Sequence, residues 1–160
     1  MNHSPTFVPG PDNSGVVFPP PLWYVLGLFL GSGLQRLWPM NLLPSTVRAA
    51  GVVVIVAGFL LGFMAIAAFR KHGTSVTPGG PATALVQTGV YRFSRNPMYL
   101  GLSLGYFGFA LLLGNVWMLW LGAVIVVIID RRVITAEERY LSRIFGPAYT
   151  SYTTRVRRWV

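Results

Sequence analysis

Glu137 and Glu138 sit where carboxylates are costly. With residues 134–145 taken as a helix at 100° per residue, Ile134, Leu141, Ile144 and Phe145 fall within one arc of about 120°. Both glutamates fall inside that arc, and Arg139 and Arg143 point away from it. Neither glutamate has a Lys or Arg three or four positions away to pair with along the helix. An unpaired charge on an apolar face costs several kcal/mol or more to bury, so these acids need a partner from another segment. That partner is either an arginine such as Arg92, Arg95 or Arg132, or a polar ligand with a positive group.

A second polar centre precedes an apolar stretch. Asn96 is a good N-cap residue, and Pro97 suits the first helical position. The free N–H groups of such a helix start, together with Arg95, suit an anion such as a carboxylate or phosphate. The segment before it, residues 70–96, is long and carries Gly73, Pro78, Gly79, Gly80, Pro81 and Gly89. Loops of that length inside a compact domain are functional or disordered. Leu85, Val86, Val90, Tyr91 and Phe93 favour an ordered cover that folds back as a lid. Carboxylates facing an anion site, with aromatic residues nearby, suit a zwitterionic ligand with a flat ring.

The elements that must position these groups are membrane helices. Apolar residues make up 53% of the 160-residue chain and charged residues 11%, against about 25% charged in a soluble domain. Uncharged stretches at residues 22–35, 49–69 and 96–129 mark the spans. The last is too long for one crossing and contains the turn pair Gly114-Asn115. The expected architecture is all-α: a single domain over residues 22–160, with transmembrane helices at 22–38, 47–69, 97–113 and 116–129. A cytoplasmic loop at 70–96 and a cytoplasmic segment at 130–160 with an amphipathic helix complete it. Of the 13 Lys and Arg residues, only Arg36 and Arg48 lie between the first two spans. The positive-inside rule then puts both termini and the polar site in the cytoplasm.

The same basic residues account for the net charge of +9. They flank apolar spans, where anionic lipid attracts them, so a membrane-lipid partner is expected and a nucleic-acid partner is not. Residues 1–21, rich in Pro, Gly, Ser and Asn, lack the basic start of a cleavable signal and read as a flexible cytoplasmic tail. The chain has no Cys and two His, which removes disulfides, thiol nucleophiles and thiolate metal sites from consideration; no metal is expected.

Two segments carry a resemblance. Gly89-Val90-Tyr91-Arg92-Phe93-Ser94-Arg95-Asn96-Pro97-Met98-Tyr99-Leu100-Gly101 resembles the signature of the isoprenylcysteine carboxyl methyltransferases. So does Glu137-Glu138 followed by Phe145-Gly146, Tyr149, Tyr152 and Arg155-Val156. The phospholipid methyltransferases share the Asn-Pro-Met-Tyr and Glu-Glu elements. The resemblance covers residues 73–156 and implies an integral membrane enzyme that uses S-adenosyl-L-methionine in a cytoplasmic pocket under the loop. It also implies a lipophilic acceptor entering from the bilayer. Carried over by motif, Thr83, Ala84, Leu85, Val86, Tyr91, Asn96, Pro97, Met98, Tyr99 and Glu137 contact the cofactor. Arg95 joins the helix start in holding its carboxylate, and Glu138 braces the site. Where the family has a substrate-contacting Arg before the acidic pair, this chain has Val133. Arg131 and Arg132 stand beside it as candidates to steer an acceptor. Asn96 occupies a position where the carboxyl methyltransferases have His and the phospholipid enzymes have Asn.

Methyl transfer from a sulfonium is an in-line displacement that needs alignment more than a nucleophile or a metal. Alignment can contribute about 7–11 kcal/mol. The acceptor, whether a lipophilic carboxylate, a phospholipid amine or a small molecule, is open at this point. So are two other readings: a membrane reductase with a related core, which would bind a nicotinamide cofactor, and a small non-enzymatic membrane protein, which would bind no cofactor and have an empty or collapsed pocket.

Overall fold

The computed structural model describes residues 18–40, 42–74 and 82–160. Most of the expected N-terminal tail and residues 75–81 of the expected lid lie outside the described residues. Among the described residues there are six α-helices and no strand: α1 (Pro20–Leu37), α2 (Ser45–Lys71), α3 (Pro97–Leu113), α4 (Val116–Ile128), α5 (Thr135–Phe145) and α6 (Pro147–Arg155). A 3-10 turn at Gly89–Arg92 precedes α3, and a π-helical segment at Ile129–Ile134 joins α4 to α5.

α2 packs chiefly on α3, and α1 on α4. Glycine makes the first of these contacts close. A Cβ on Gly58 would stand 2.6 Å from the Gly105 nitrogen, and one on Gly51 would stand 2.6 Å from the Gly108 oxygen. Small residues let helix backbones approach where lipid supplies no hydrophobic drive. Gly27 and Gly31 serve the same purpose on α1, against Ile125 and Met118 of α4. The α3–α4 hairpin turns at Gly114, whose φ of 65° is the left-handed conformation glycine adopts without strain. Asn115 then caps α4, its Oδ1 accepting from the Met118 N–H at 3.0 Å while its Nδ2 donates to the Gly31 oxygen at 3.0 Å.

α2, with 27 residues, is the one helix among those described that is both long and apolar enough to cross a membrane; α3 is apolar but shorter. Large apolar side chains point outward from the bundle, including Phe29 at 74% exposure and Phe63 at 70%. Such an apolar exterior is costly in water and stable against hydrocarbon.

The sequence reading ends the last span at residue 129 and starts a helix at 134. The structure instead runs one continuous helical path from α4 to α5. The Thr135 hydroxyl donates to the Asp130 carbonyl, five residues back, at 3.0 Å, in keeping with the wider π turn. Such segments cluster at functional sites. Here it buries Ile129, Val133 and Ile134 and leaves Arg131 and Arg132 exposed.

Candidate functional site

A cavity of about 810 Å³ lies between α1, α2, α3 and the polar layer formed by residues 82–96, α5 and α6. Its charged lining, among the described residues, is Arg95, Glu137 and Glu138.

The expected inward face of α5 is partly realised. Glu137 and Glu138 are partly buried and Arg139 and Arg143 are exposed. Ile144, expected on the inner arc, is 45% exposed, and Tyr140, outside that arc, is buried. The Tyr140 hydroxyl accepts the Ala82 N–H at 3.1 Å, tying α5 to the loop before α3.

The two acids have different fates. Glu138 meets Arg95 at 3.1 Å and Arg158, whose Nε lies 3.2 Å from it and whose Nη2 makes a shorter contact. Arg158 also holds Asp130 at 3.3 Å, and the Trp159 indole N–H donates to Asp130 at 2.9 Å. These carboxylates hold Arg158 more firmly protonated than usual. Among the described residues Glu137 meets no such cation. It accepts a hydrogen bond from the Tyr99 hydroxyl at 2.7 Å, across from α3. Burial pushes its carboxyl up to about 7, against the opposing pull of that hydroxyl. A carboxylate that must desolvate with only a hydroxyl partner is poised for a cationic ligand.

The C-terminal residues 156–160 latch the helix start of α3. The Asn96 side chain, expected to cap α3, instead donates to the Arg158 carbonyl at 3.0 Å and makes no cap. The Arg95 N–H donates to the Arg157 carbonyl at 3.0 Å. The first-turn amides of α3 therefore lack a side-chain cap at the cavity wall. Arg95 Nε is buried with no hydrogen-bond partner among the described residues. The Tyr152 hydroxyl donates to the Tyr91 carbonyl at 2.7 Å, fixing the 3-10 turn. Burial, with Tyr152 and Glu137 beside it, raises the Tyr91 hydroxyl and keeps it protonated. Burial, with Glu138 nearby, pushes the Tyr149 hydroxyl up to about 12 against the opposing pull of Arg95.

Of the residues expected at the site, Ala84, Leu85, Val86, Tyr91, Arg95, Asn96, Met98, Tyr99, Glu137 and Glu138 line the cavity. Thr83 and Pro97 do not. The Thr83 hydroxyl donates to the Gly73 carbonyl on an exposed edge, and Pro97 is fully buried in the first turn of α3. Arg131 and Arg132 stay outside, Arg131 with a side chain 80% exposed and 3.7 Å from Asp130. Of the arginines considered as partners of the acids, Arg95 serves, while Arg92 and Arg132 are exposed. Sequence reasoning misses Arg158, one of several arginines in a basic tail with no local signal to single it out. It also misses Tyr24, which reaches the cavity from α1.

Among the described residues no group of three or more His, Cys, Asp or Glu gathers as a metal site would require. Among the described residues, Glu137 offers a carboxylate without a cation and Arg95 Nε a buried donor without an acceptor.

The sequence profile of the family described as phospholipid methyltransferase matches residues 46–148. A protein-S-isoprenylcysteine O-methyltransferase of Schizosaccharomyces pombe is 28% identical over 107 residues, which is 60% of this chain and 45% of that protein. The chain thus spans less than half of that relative. An uncharacterized protein of Haemophilus influenzae is 42% identical over 64 residues, 39% of this chain and all of that protein. No solved structure matches the chain. The matched span begins in α2 and ends just past α5, enclosing both acids and the Asn96-Pro97 helix start, and the chain belongs to the phospholipid methyltransferase family.

Proposed function

We propose that this chain is an integral membrane methyltransferase that uses S-adenosyl-L-methionine. Its α1 to α4 cross the bilayer, its termini and polar layer face the cytoplasm, and it acts on a lipophilic or small acceptor. The observation that carries the reading is Glu137: a carboxylate without a cation among the described residues, in a cavity that joins a polar end to an apolar one.

Each residue has a role in that reading. Glu137 takes the ammonium of the cofactor's amino-acid end. Arg95 Nε and the uncapped amides of α3 after Asn96 and Pro97 take its carboxylate. Ala84, Leu85, Val86 and Met98 pack on its apolar surfaces, with Thr83 holding the loop in place. Tyr91 and Tyr99 shape the passage between cofactor and acceptor. Glu138, neutralised by Arg95 and Arg158, braces the wall. Arg131 and Arg132, exposed on the π segment, draw anionic acceptors or headgroups toward the mouth by long-range attraction. When bound, S-adenosyl-L-methionine supplies the electrophilic methyl group. The protein aligns the acceptor with that carbon and keeps water out.

Two features favour an uncharged acceptor group over a carboxylate. Val133 is buried in the core where an acceptor-binding Arg would be expected, and the charge left over in the cavity is negative. The test is incubation of the purified protein with methyl-tritiated S-adenosyl-L-methionine and native membrane extract. Label in an organic-extractable product is expected. Its absence across lipid, prenyl and small-molecule fractions would contradict the reading.

A further inference from the structure

The end of the bundle away from the polar layer gathers the last turns of α1 and α3 and the first turns of α2 and α4. Arg48 and Lys71 stand near opposite ends of α2, about 34 Å apart at 1.5 Å per residue. Charge at the far end has one sign. The acids among the described residues, Asp130, Glu137 and Glu138, all lie in or beside the polar layer. The far end carries Arg36 and Arg48 and, among the described residues, no carboxylate.

Arg36 is exposed, whereas Arg48 is only partly so. The Arg48 guanidinium lies against the α3–α4 turn: a Cβ on Gly114 would meet its Nε at 2.7 Å and its Cζ and Nη2 at 2.9 Å. The glycine that turns the hairpin through its positive φ therefore also leaves room for the arginine. Nε is buried, and neither it nor the two Nη groups has a hydrogen-bond partner among the described residues. The negative end of the α3 dipole favours a cation here. A dipole does not take up the donors of a guanidinium, which presents five N–H groups in a planar fork.

The same hairpin leads into a groove. The Trp117 indole N–H donates to the Trp38 carbonyl at 2.8 Å, and the Gln35 side-chain amide donates to the Met40 carbonyl at 3.3 Å. These bonds hold residues 38–40 beside the first turn of α4. The groove between them, of about 630 Å³, is lined by Leu37, Trp38, Pro39, Met40 and Trp117. Tryptophans at the ends of apolar helices sit at headgroup depth, where lipid phosphates also lie.

We propose that Arg48 binds the phosphodiester of an anionic phospholipid in the leaflet opposite the polar layer, with the headgroup in the groove between Trp38 and Trp117 and Arg36 attracting it. The site uses none of the residues assigned to methyl transfer; it rests on that reading only for the crossing of α1 to α4. A guanidinium fork matches two phosphate oxygens. An anionic headgroup is favoured over a zwitterionic one because no acid at this end would receive an ammonium. The bound lipid ties the α1–α2 connection to the α3–α4 hairpin.

The test uses the full chain in phosphatidylcholine nanodiscs with a trace of phosphatidylglycerol bearing a diazirine on its headgroup. Adducts are mapped by mass spectrometry. Wild type is expected to label at Trp38, Met40 and Trp117, and unlabelled phosphatidylglycerol should displace that label at least about tenfold better than phosphatidylcholine. Arg48→Gln should lose about tenfold of the label, while Arg139→Gln, at an exposed arginine of the polar layer, keeps it. Arg48→Lys keeps the charge without the fork and should fall between. Thermal unfolding separates the rival role. If Arg48 served the α3 dipole alone, Arg48→Gln would lower the midpoint equally in the two lipids; a larger drop in phosphatidylglycerol is expected. No label at the groove in wild type, displacement by phosphatidylcholine as good as by phosphatidylglycerol, or undiminished label in Arg48→Gln would overturn the proposal. The wild-type competition decides the matter without any variant. A chain that fails to insert into nanodiscs would remove the crossing and the site with it, whereas failure to bind S-adenosylhomocysteine would remove the methyltransferase reading and leave this site standing.

Discussion

Glu137 concentrates the chemistry because desolvation and pairing pull it in opposite directions. Its carboxyl is raised from the ordinary value to about 7, so the folded protein holds a proton there more tightly than the unfolded chain does. Its contribution to stability is therefore full below pH 4.5 and is lost as pH rises through about 7. A cationic ligand reverses the preference, since it binds the ionised form. Affinity for S-adenosylhomocysteine should rise between pH 6 and pH 8 in wild type and stay flat in Glu137→Gln, as isothermal titration calorimetry would measure. Arg158 acts differently. Removing it leaves Asp130 with the exposed Arg131 and the Trp159 indole, and Glu138 with Arg95 alone. Arg158→Ala should cost about 1–3 kcal/mol, the range for hydrogen bonds to charged groups, seen as a lower unfolding temperature in detergent. The inward placement of both acids was legible in the sequence, because carboxylates among Ile134, Leu141 and Phe145 conflict with ordinary helix patterning. Which arginine pairs with which acid was not. The basic residues of the tail look alike locally, and only the path of residues 156–160 across Asn96 selects Arg158.

At the level of elements, the α2–α3 seam and the π segment do most of the positioning. Gly58 has no room for a side chain, whereas Gly62, one turn on, has open space. Gly58→Leu should therefore lower stability by roughly 1–3 kcal/mol, the usual cost of overpacking. Gly62→Ala should leave stability unchanged or raise it. Thermal unfolding in detergent separates the two. The four-residue spacing of Gly27, Gly31, Gly58 and Gly62 reads in sequence as one kind of contact surface. The structure divides it, because burial depends on which face of α2 meets α3 and spacing alone does not give that phase. The Gly114-Asn115 turn and the Asn96-Pro97 helix start were legible from residue types with fixed backbone demands. The π segment was not, since Ile129 to Ile134 carries no Gly or Pro, and continuous helix and broken helix share that pattern. Asn96 shows the limit of local rules: its position is the expected one, but its amide is drawn to the Arg158 carbonyl 62 residues away.

For the whole molecule, the proposed account is a bundle with a polar layer on one side of the membrane and the apolar end of its cavity beneath it. The chain contains no Cys, so single cysteines report topology without background. Ser142→Cys in the polar layer and Leu42→Cys in the connection between α1 and α2 should react with a membrane-impermeant maleimide from opposite sides, Ser142→Cys from the cytoplasm. Labelling of both from the same side would contradict the proposed crossing pattern. The all-helical class followed from charge-free stretches, whereas the joining of polar and apolar space into one cavity required three-dimensional packing. The most direct measurement is calorimetric titration of S-adenosylhomocysteine into the purified full chain at pH 7.5, beside Glu137→Gln. Saturable one-site binding to wild type, weakened about tenfold or more in the variant, is the predicted result. Equal affinity of the two proteins, or no binding to wild type, would contradict the central claim that Glu137 receives the positive end of the methyl donor.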